Sequence, residues 1–388
     1  MNNKINSKAL QEFKEVSGTL INPALLEWKE KGGKVIGCMY HFIPEEIITA
    51  AGLLPFRMRA TGSKGTELSE SCFTQINCSY VRHLFDSGMR GDQAFLDGVV
   101  SVNNCDHIRR LYDNWQSKIN TPYMHFLVFP KKSGEEQVEA YRKELLKFKK
   151  SLEEAFQVEI TDERLREAIE RHNETRRLQR KLYNFRKTAN PPITGSDIMA
   201  AMVAGTAMPK DQYHSLLHQL LEDCANHEGY NGYSARLMLI GGEIDNPEFV
   251  EVVESQGGIV VSDLLGYGSR SFMKDVDNTG DPLTSLARYQ VMERPADPRI
   301  FGRTTLERDK YVKQMVKEYN VDGVVSVRLP LCDPWGFEQV NLSKYLKSKS
   351  IPHLPLEIEY ILGSTGQIKT RVQAFLETIT ENNHHANN

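Results

Sequence analysis

The sequence contains no apolar run near the roughly 18 residues that a membrane-spanning helix needs. Its opening, Met1 to Phe13, is polar rather than leader-like, so export is not expected. Six cysteines in 388 residues are too few for a disulfide framework, and without an export signal they point to a reducing cytoplasm. No two of them form a C-x-x-C pair, which argues against a zinc ribbon or a bacterial ferredoxin repeat. Neither sign of charge dominates. Lys and Arg number 48 against 51 Asp and Glu, a formal charge of -3, with no sign of nucleic-acid or acidic-membrane binding. A phosphate-cradling G-x-x-x-x-G-K-S/T loop is also missing. The nearest Gly-rich stretch, Gly266-Tyr267-Gly268-Ser269-Arg270-Ser271, lacks the Lys and a full G-x-G-x-x-G, so ATP chemistry is expected on a partner.

What is present is an ordinary globular composition, 26% charged and 40% hydrophobic, enough to bury a full core. At about 150 residues per domain the length fits two domains with a helical insert. Val35-Ile36-Gly37-Cys38, Gly98 to Val102 and Met124 to Phe129 read as strands, each β-branched or aromatic-rich and bounded by turn or polar residues. Pro44-Glu45-Glu46-Ile47-Ile48 opens a helix, with acids at the positive end of its dipole. Strands separated by helical stretches predict βαβ units and a parallel sheet. From about Ser133 to His227 periodic Leu, Phe and Tyr among charges predict successive helices, broken near Asn190-Pro191-Pro192. The charge runs there, Arg176-Arg177 and Lys147 to Lys150, read as solvated faces. Strand–helix alternation then resumes with Arg236 to Ile240, Gly258 to Val261, Gly323 to Val327 and His353 to Glu357, and a last helix covers about Gly366 to Thr380. The expected organisation is an α/β lobe over 1–132, a helical connecting segment over 133–228 and a second α/β lobe over 229–388.

An internal echo places two cysteines. Asp97-Gly98-Val99-Val100-Ser101-Val102 recurs as Asp322-Gly323-Val324-Val325-Ser326-Val327, and Cys105-Asp106 and Cys332-Asp333 follow the two copies after two and four residues. Both cysteines therefore sit just past the carboxyl end of a buried parallel strand, where open α/β sheets place their ligands. Buried packing is the plain alternative for any free cysteine, but packing alone needs no Asp beside it. Zinc and iron–sulfur sites usually take three or four protein ligands. Cys224 lies inside a helical stretch and reads as packing. Cys38 ends a strand, while Cys72 and Cys78 lie where a loop enters a helix, and a helix N-terminus suits a thiolate. His214 and His218 are four apart on a predicted helix with Glu222 one turn on, but Ser215 replaces the base of H-E-x-x-H, and a metal role is not expected.

Along nearly its whole length the chain resembles the benzoyl-CoA reductase / 2-hydroxyacyl-CoA dehydratase family. Gly37-Cys38 with Pro44 to Ile47 and Ala50 to Pro55 is similar to the family's amino-terminal signature. Asn77-Cys78-Ser79-Tyr80-Val81-Arg82, Asn104-Cys105-Asp106 and Leu331-Cys332-Asp333 resemble its cluster-ligand motifs, and Thr370 to Glu377 its carboxy-terminal one. The resemblance implies an α/β fold of two flavodoxin-like doubly wound parallel-sheet lobes holding one 4Fe–4S cluster through Cys78, Cys105 and Cys332. It also implies a homologous second cluster-binding subunit, an ATP-hydrolysing activator, a ferredoxin-type electron donor and a CoA-thioester substrate.

Three thiolates leave one iron without a protein cysteine, open to water, substrate or another ligand. Electron injection into an aromatic or enoyl thioester needs a very negative potential, set by cluster type, burial and hydrogen bonds. Tyr40, His41, Glu45 and Glu46 follow the first strand and are pocket candidates, although the Glu pair also serves simply to start a helix. Arg82 either neutralises cluster charge or forms a surface ion pair. The leading expectation is an iron–sulfur subunit of an ATP-dependent benzoyl-CoA (aryl-CoA) reductase, on the character of Glu359 to Glu377 and the chain length. The alternatives are a radical 2-hydroxyacyl-CoA dehydratase subunit, or a double-cubane or electron-relaying member of the family that recruits Cys38, Cys72 or Cys224.

Overall fold

In a computed structural model, which describes residues 5–295, 297–300 and 305–386, the strand segments form two four-stranded sheets, parallel throughout. The first lobe holds β1 (Val35–Cys38), β2 (Leu54–Arg57), β3 (Gly98–Val102) and β4 (Tyr123–Leu127) in the order β2-β1-β3-β4. The second holds β5 (Ala235–Gly241), β6 (Gly258–Leu264), β7 (Gly323–Arg328) and β8 (His353–Glu357) in the order β6-β5-β7-β8. Both follow the 2-1-3-4 order of a doubly wound sheet, so each has a switch point at the carboxyl ends of its first and third strands. The recurring hexapeptide supplies β3 and β7, the third strand of each sheet. Its glycine is needed in both copies. A Cβ on Gly98 would stand 2.7 Å from Tyr123 Cδ1, and one on Gly323 2.6 Å from Ile379 Cδ1.

The sequence reading misses β2, because Pro55 lies within it. A proline cannot donate to a ladder, and β2 tolerates it by being an edge strand. Pro355 is tolerated likewise in β8, an edge strand of the second sheet. Between the lobes run the helices Glu135–Phe156, Asp162–Asn184, Gly195–Ala204 and Lys210–Ala225. Thr161 and Thr194 cap two of them, accepting from the backbone N–H of Arg164 and Asp197. The Pro191-Pro192 break falls between the second and third, as the sequence predicts. No helix of the described residues is long and apolar enough to cross a membrane.

One charged residue is not where the sequence puts it. Arg177 lies at the surface with Glu170 and Asp275, but its neighbour Arg176 is buried against Glu46. The helix Asp162–Asn184 packs that side on the helix Glu45–Ala50 of the first lobe.

His353 offers a test of the second sheet. Its ring lies between Ser326 Oγ (2.7 Å) and Ser343 Oγ (2.9 Å), and burial lowers its pKa to about 4. The unfolded chain binds a proton near pH 6.5 that the folded chain refuses, so stability from this group is complete above about 6.5 and is lost as pH falls towards 4. Denaturant unfolding measured across that range is expected to show a shallower pH slope for His353→Gln than for the wild type.

Candidate functional site

The two switch points open on one cavity of about 540 Å³. Tyr40 reaches it from the end of β1, Asn103 to Arg109 from the end of β3, Gly242 to Ile244 from β5, and Leu329 with Cys332 to Trp335 from β7. Cys78, Cys105 and Cys332 all line it. Each is the N-cap residue of a helix, Ser79–Met89, Asp106–Lys118 and Asp333–Ser348 respectively. Three helix N-termini thus converge on three sulfurs, and their partial positive charges favour thiolate there.

Burial opposes that tendency while the sulfurs carry protons. It pushes the Cys78 thiol up, and its neighbours Cys332 and Cys105 push the same way, against the backbone N–H of Val81. Burial also raises Cys332, opposed by the Arg299 guanidinium and the backbone N–H of Trp335. A metal ligand resolves the conflict, since coordination replaces the proton. Two further polar groups facing the cavity are 4% exposed with no hydrogen-bond partner among the described residues: both ends of the Asn104 amide, and the indole N–H of Trp335. Groups of that kind normally find partners, and sulfide or thiolate acceptors on a cluster fit both N–H donors. Among the described residues no group of three or more His, Cys, Asp or Glu closes tightly enough to hold a single metal ion. One tetrahedral ion with bonds of about 2.3 Å draws its thiolates within about 4 Å of each other. A four-iron cluster takes one thiolate per iron, and three cysteines lining one cavity offer a donor set of that kind.

The other cysteines lie elsewhere. Cys38 is buried at the end of β1, with burial and the Glu45 carboxylate raising its pKa, and Cys224 is buried in the helix Lys210–Ala225 with its pKa raised to about 12 by burial. Cys72 follows the short turn Ser69–Ser71 and contacts Ser71 Oγ at 3.6 Å. None of the three lines the cavity. Arg82 does not either; its Nε donates to the Asn77 carbonyl at 3.2 Å and braces the loop before Cys78. His214 bonds Thr175 Oγ1 at 2.7 Å rather than pairing with His218 around a metal.

The four pocket candidates divide between two cavities. Tyr40 faces the cysteines, its ring under the Arg299 guanidinium at 4.7 Å. His41 bridges, with Nδ1 3.3 Å from Glu243 Oε1 and Nε2 3.7 Å from Asp297 Oδ2. Burial and then the surrounding arginines, Arg294 first, hold it well below the usual histidine range, hence neutral. Glu45 and Glu46 do open a helix, Glu45–Ala50, but both also line a second cavity of about 60 Å³. There Glu45 pairs with Arg57 at 2.9 Å and Lys210 at 3.7 Å, and Glu46 with Arg176.

Sequence reasoning missed Glu243, Asp297, Arg270 and Arg299, all buried beside His41 or Tyr40. Glu243 was findable, since it follows β5 as Tyr40 follows β1. Nothing local marks Asp297 or Arg299, which lie in a connection between helices.

A family model described as 2-hydroxyglutaryl-CoA dehydratase, D-component, matches residues 40–379. The chain belongs to this family. It is 26% identical over 388 residues to the (R)-2-hydroxyglutaryl-CoA dehydratase beta subunit of Acidaminococcus fermentans, covering 96% of this chain and 99% of that one. A benzoyl-CoA reductase subunit of Thauera aromatica is 24% identical over 363 residues, covering 92% and 94%. The (R)-phenyllactyl-CoA dehydratase beta subunit of Clostridium sporogenes is 24% identical over 377 residues, covering 96% and 99%. The family thus spans reductase and dehydratase subunits, and these relatives match essentially end to end.

Proposed function

We propose that the chain is the cluster-bearing subunit of a multisubunit enzyme that delivers single electrons to a CoA thioester, with Cys78, Cys105 and Cys332 as the ligands of one 4Fe–4S cluster. The observation that carries this reading is the meeting of three helix-capping cysteines from both lobes on one cavity. A cluster held there would supply low-potential one-electron chemistry and an iron free of protein thiolate. The chain's own groups do the rest. Arg299 and Lys131 bring positive charge to the cavity, and Lys131 is anchored on the Asn104 carbonyl at 2.6 Å with its pKa lowered by burial to about 8. Burial favours the protonated form of the Glu243 carboxyl, which faces neutral His41. With a substrate seated there, the mostly apolar lining would shield charge developing on a thioester carbonyl from water.

Electrons would come from an ATP-hydrolysing activator fed by a ferredoxin-type donor. Phe337, 76% exposed, lines the cavity, and the exposed Ile76 (72%) and Val340 (55%) lie within two residues in sequence of the lining residues Cys78 and Asn341; these apolar side chains suit contact with a homologous second subunit. The subunit names of the relatives support a heteromer. The segment Glu359 to Glu377, on which the reductase reading leaned, does not line the cysteine cavity, so it reports nothing about substrate. Cys38, Cys72 and Cys224 lie off that cavity, which speaks for four irons rather than a double cubane.

Anaerobic purification is expected to yield about four iron and four acid-labile sulfide per chain; none would overturn the proposal, and near eight would restore the double cubane. With the co-purified subunit, activator, ATP and reductant, benzoyl-CoA giving a cyclic diene marks a reductase. A 2-hydroxyacyl-CoA giving an enoyl-CoA marks a dehydratase.

A further inference from the structure

Behind the cysteine cavity lies a buried wall of charge. Arg57, Arg270 and Arg299 meet Glu45, Glu243 and Asp297 there. One carboxylate among them serves two cations. Asp297 is shared by two guanidiniums, Arg270 at 2.6 Å and Arg299 at 3.3 Å. Arg270 has the shorter contact and also lies over the Trp335 ring at 4.8 Å, while Arg299 is the one that lines the cysteine cavity. Arg299 is 6% exposed, and its Nε–H has no hydrogen-bond partner among the described residues. Other cations at the cavity are compensated or wetter. Arg308 is paired twice with Glu338 at 2.6 Å, and burial already weakens the charge on Lys131.

We propose that Arg299 is the fixed counter-charge of the cluster, and that its guanidinium, half-neutralised by Asp297, raises the cluster's reduction potential and stabilises the reduced form. The inference rests on the cluster reading above and goes beyond it in naming the residue that sets the potential. Reduction adds one electron to a thiolate-ligated centre that is already negative, with no bond made or broken and no proton moved. A desolvated cation on the wall of the cavity that the three cysteines line lowers the energy of that added charge more than any exposed group does. Asp297 and the Tyr40 ring hold the guanidinium in place at the cavity wall. Tyr40 orients it through the ring face, so Arg299 acts as a positioning and tuning group and needs no contact with substrate.

The test is an EPR-monitored redox titration of the anaerobically purified chain with Ti(III) citrate, beside iron analysis. Arg299→Gln is expected to keep its iron and to lower the midpoint potential by at least about 59 mV, one decade in the one-electron reduction constant. Arg299→Lys, which keeps the charge, is expected to stay within half that shift. Asp297→Asn removes the shared carboxylate and leaves both guanidiniums, so its potential is expected to rise. An unchanged potential in iron-replete Arg299→Gln overturns the proposal while the cluster reading stands. Absence of iron in the wild type overturns the cluster reading instead. Should Arg299→Gln fail to load iron, Asp297→Asn decides: a rise supports the proposal, and no change or a fall refutes it.

Discussion

Cys78→Ser, Cys105→Ser and Cys332→Ser are each expected to lose most of the iron and acid-labile sulfide of the wild type, while Cys224→Ser and Cys38→Ala keep it. The expectation follows from where the six sulfurs lie. The first three end loops that lead from the sheets into helices, and their sulfurs face the cavity between the lobes. Serine keeps a small polar group at the helix start, so the fold has no reason to fail, but an alkoxide is a poor replacement for thiolate at iron. With one of three ligands gone, two cannot hold a four-iron cluster against chelation. Cys224 and Cys38 sit among apolar neighbours in the two cores, and loss of a thiol there removes packing only. The measurement is iron and sulfide per chain after anaerobic desalting, with the broad visible absorbance as a second readout. Equal loss in all five variants would show that the cysteines act through folding and would sink the assignment. Loss in Cys78→Ser alone would move the site to the first lobe.

That assignment was half legible in the sequence, for a physical reason. Cys105 and Cys332 announce themselves because each follows a copy of one buried strand, and a third strand of a doubly wound sheet ends at the switch point. Cys78 precedes no echo; residues alone left it level with Cys72 and Cys38, and only its match to a family motif set it apart. The fold was legible where strands are continuous and β-branched, as in β3 and β7. It failed at β2, where an edge position excuses a proline that a central strand would not. The charged wall was not legible at all. Arg59, Arg176, Arg270 and Arg299 have the composition of surface residues, but Arg176 pairs with Glu46 130 positions away, Arg299 packs on the Tyr40 ring of the first lobe, and Arg59 and Arg270 bond the main-chain carbonyls of Val16, Thr19 and Gly241. Pairing of that range has no local period for a sequence to display.

Glu46→Gln and Arg176→Met are each expected to cost about 3–5 kcal/mol of folding stability, the range for breaking a buried ion pair by removing one partner. Glu46 is 2% exposed and Arg176 7%, and they are joined by a direct hydrogen bond across the boundary between the first lobe and the helical segment. Arg176 is held further by Asn173 Oδ1 at 3.0 Å and by the Tyr289 ring at 4.9 Å. In Glu46→Gln the guanidinium remains buried with its main anion gone, and Glu45, a carboxylate of the same cavity, is already engaged by Arg57. In Arg176→Met the carboxylate is left buried without its guanidinium instead. Replacing both groups together, Glu46→Leu with Arg176→Met, removes both desolvation penalties and is expected to recover more than half of either loss. With Glu46→Leu added as the matching single variant, denaturant unfolding of wild type, Glu46→Leu, Arg176→Met and the double variant gives the coupling energy directly. If the two single losses simply add in the double variant, the pair is not coupled, and the helix Glu45–Ala50 is held to the connecting segment by its other contacts, among them Glu45 with Lys210 and Thr49 with His172.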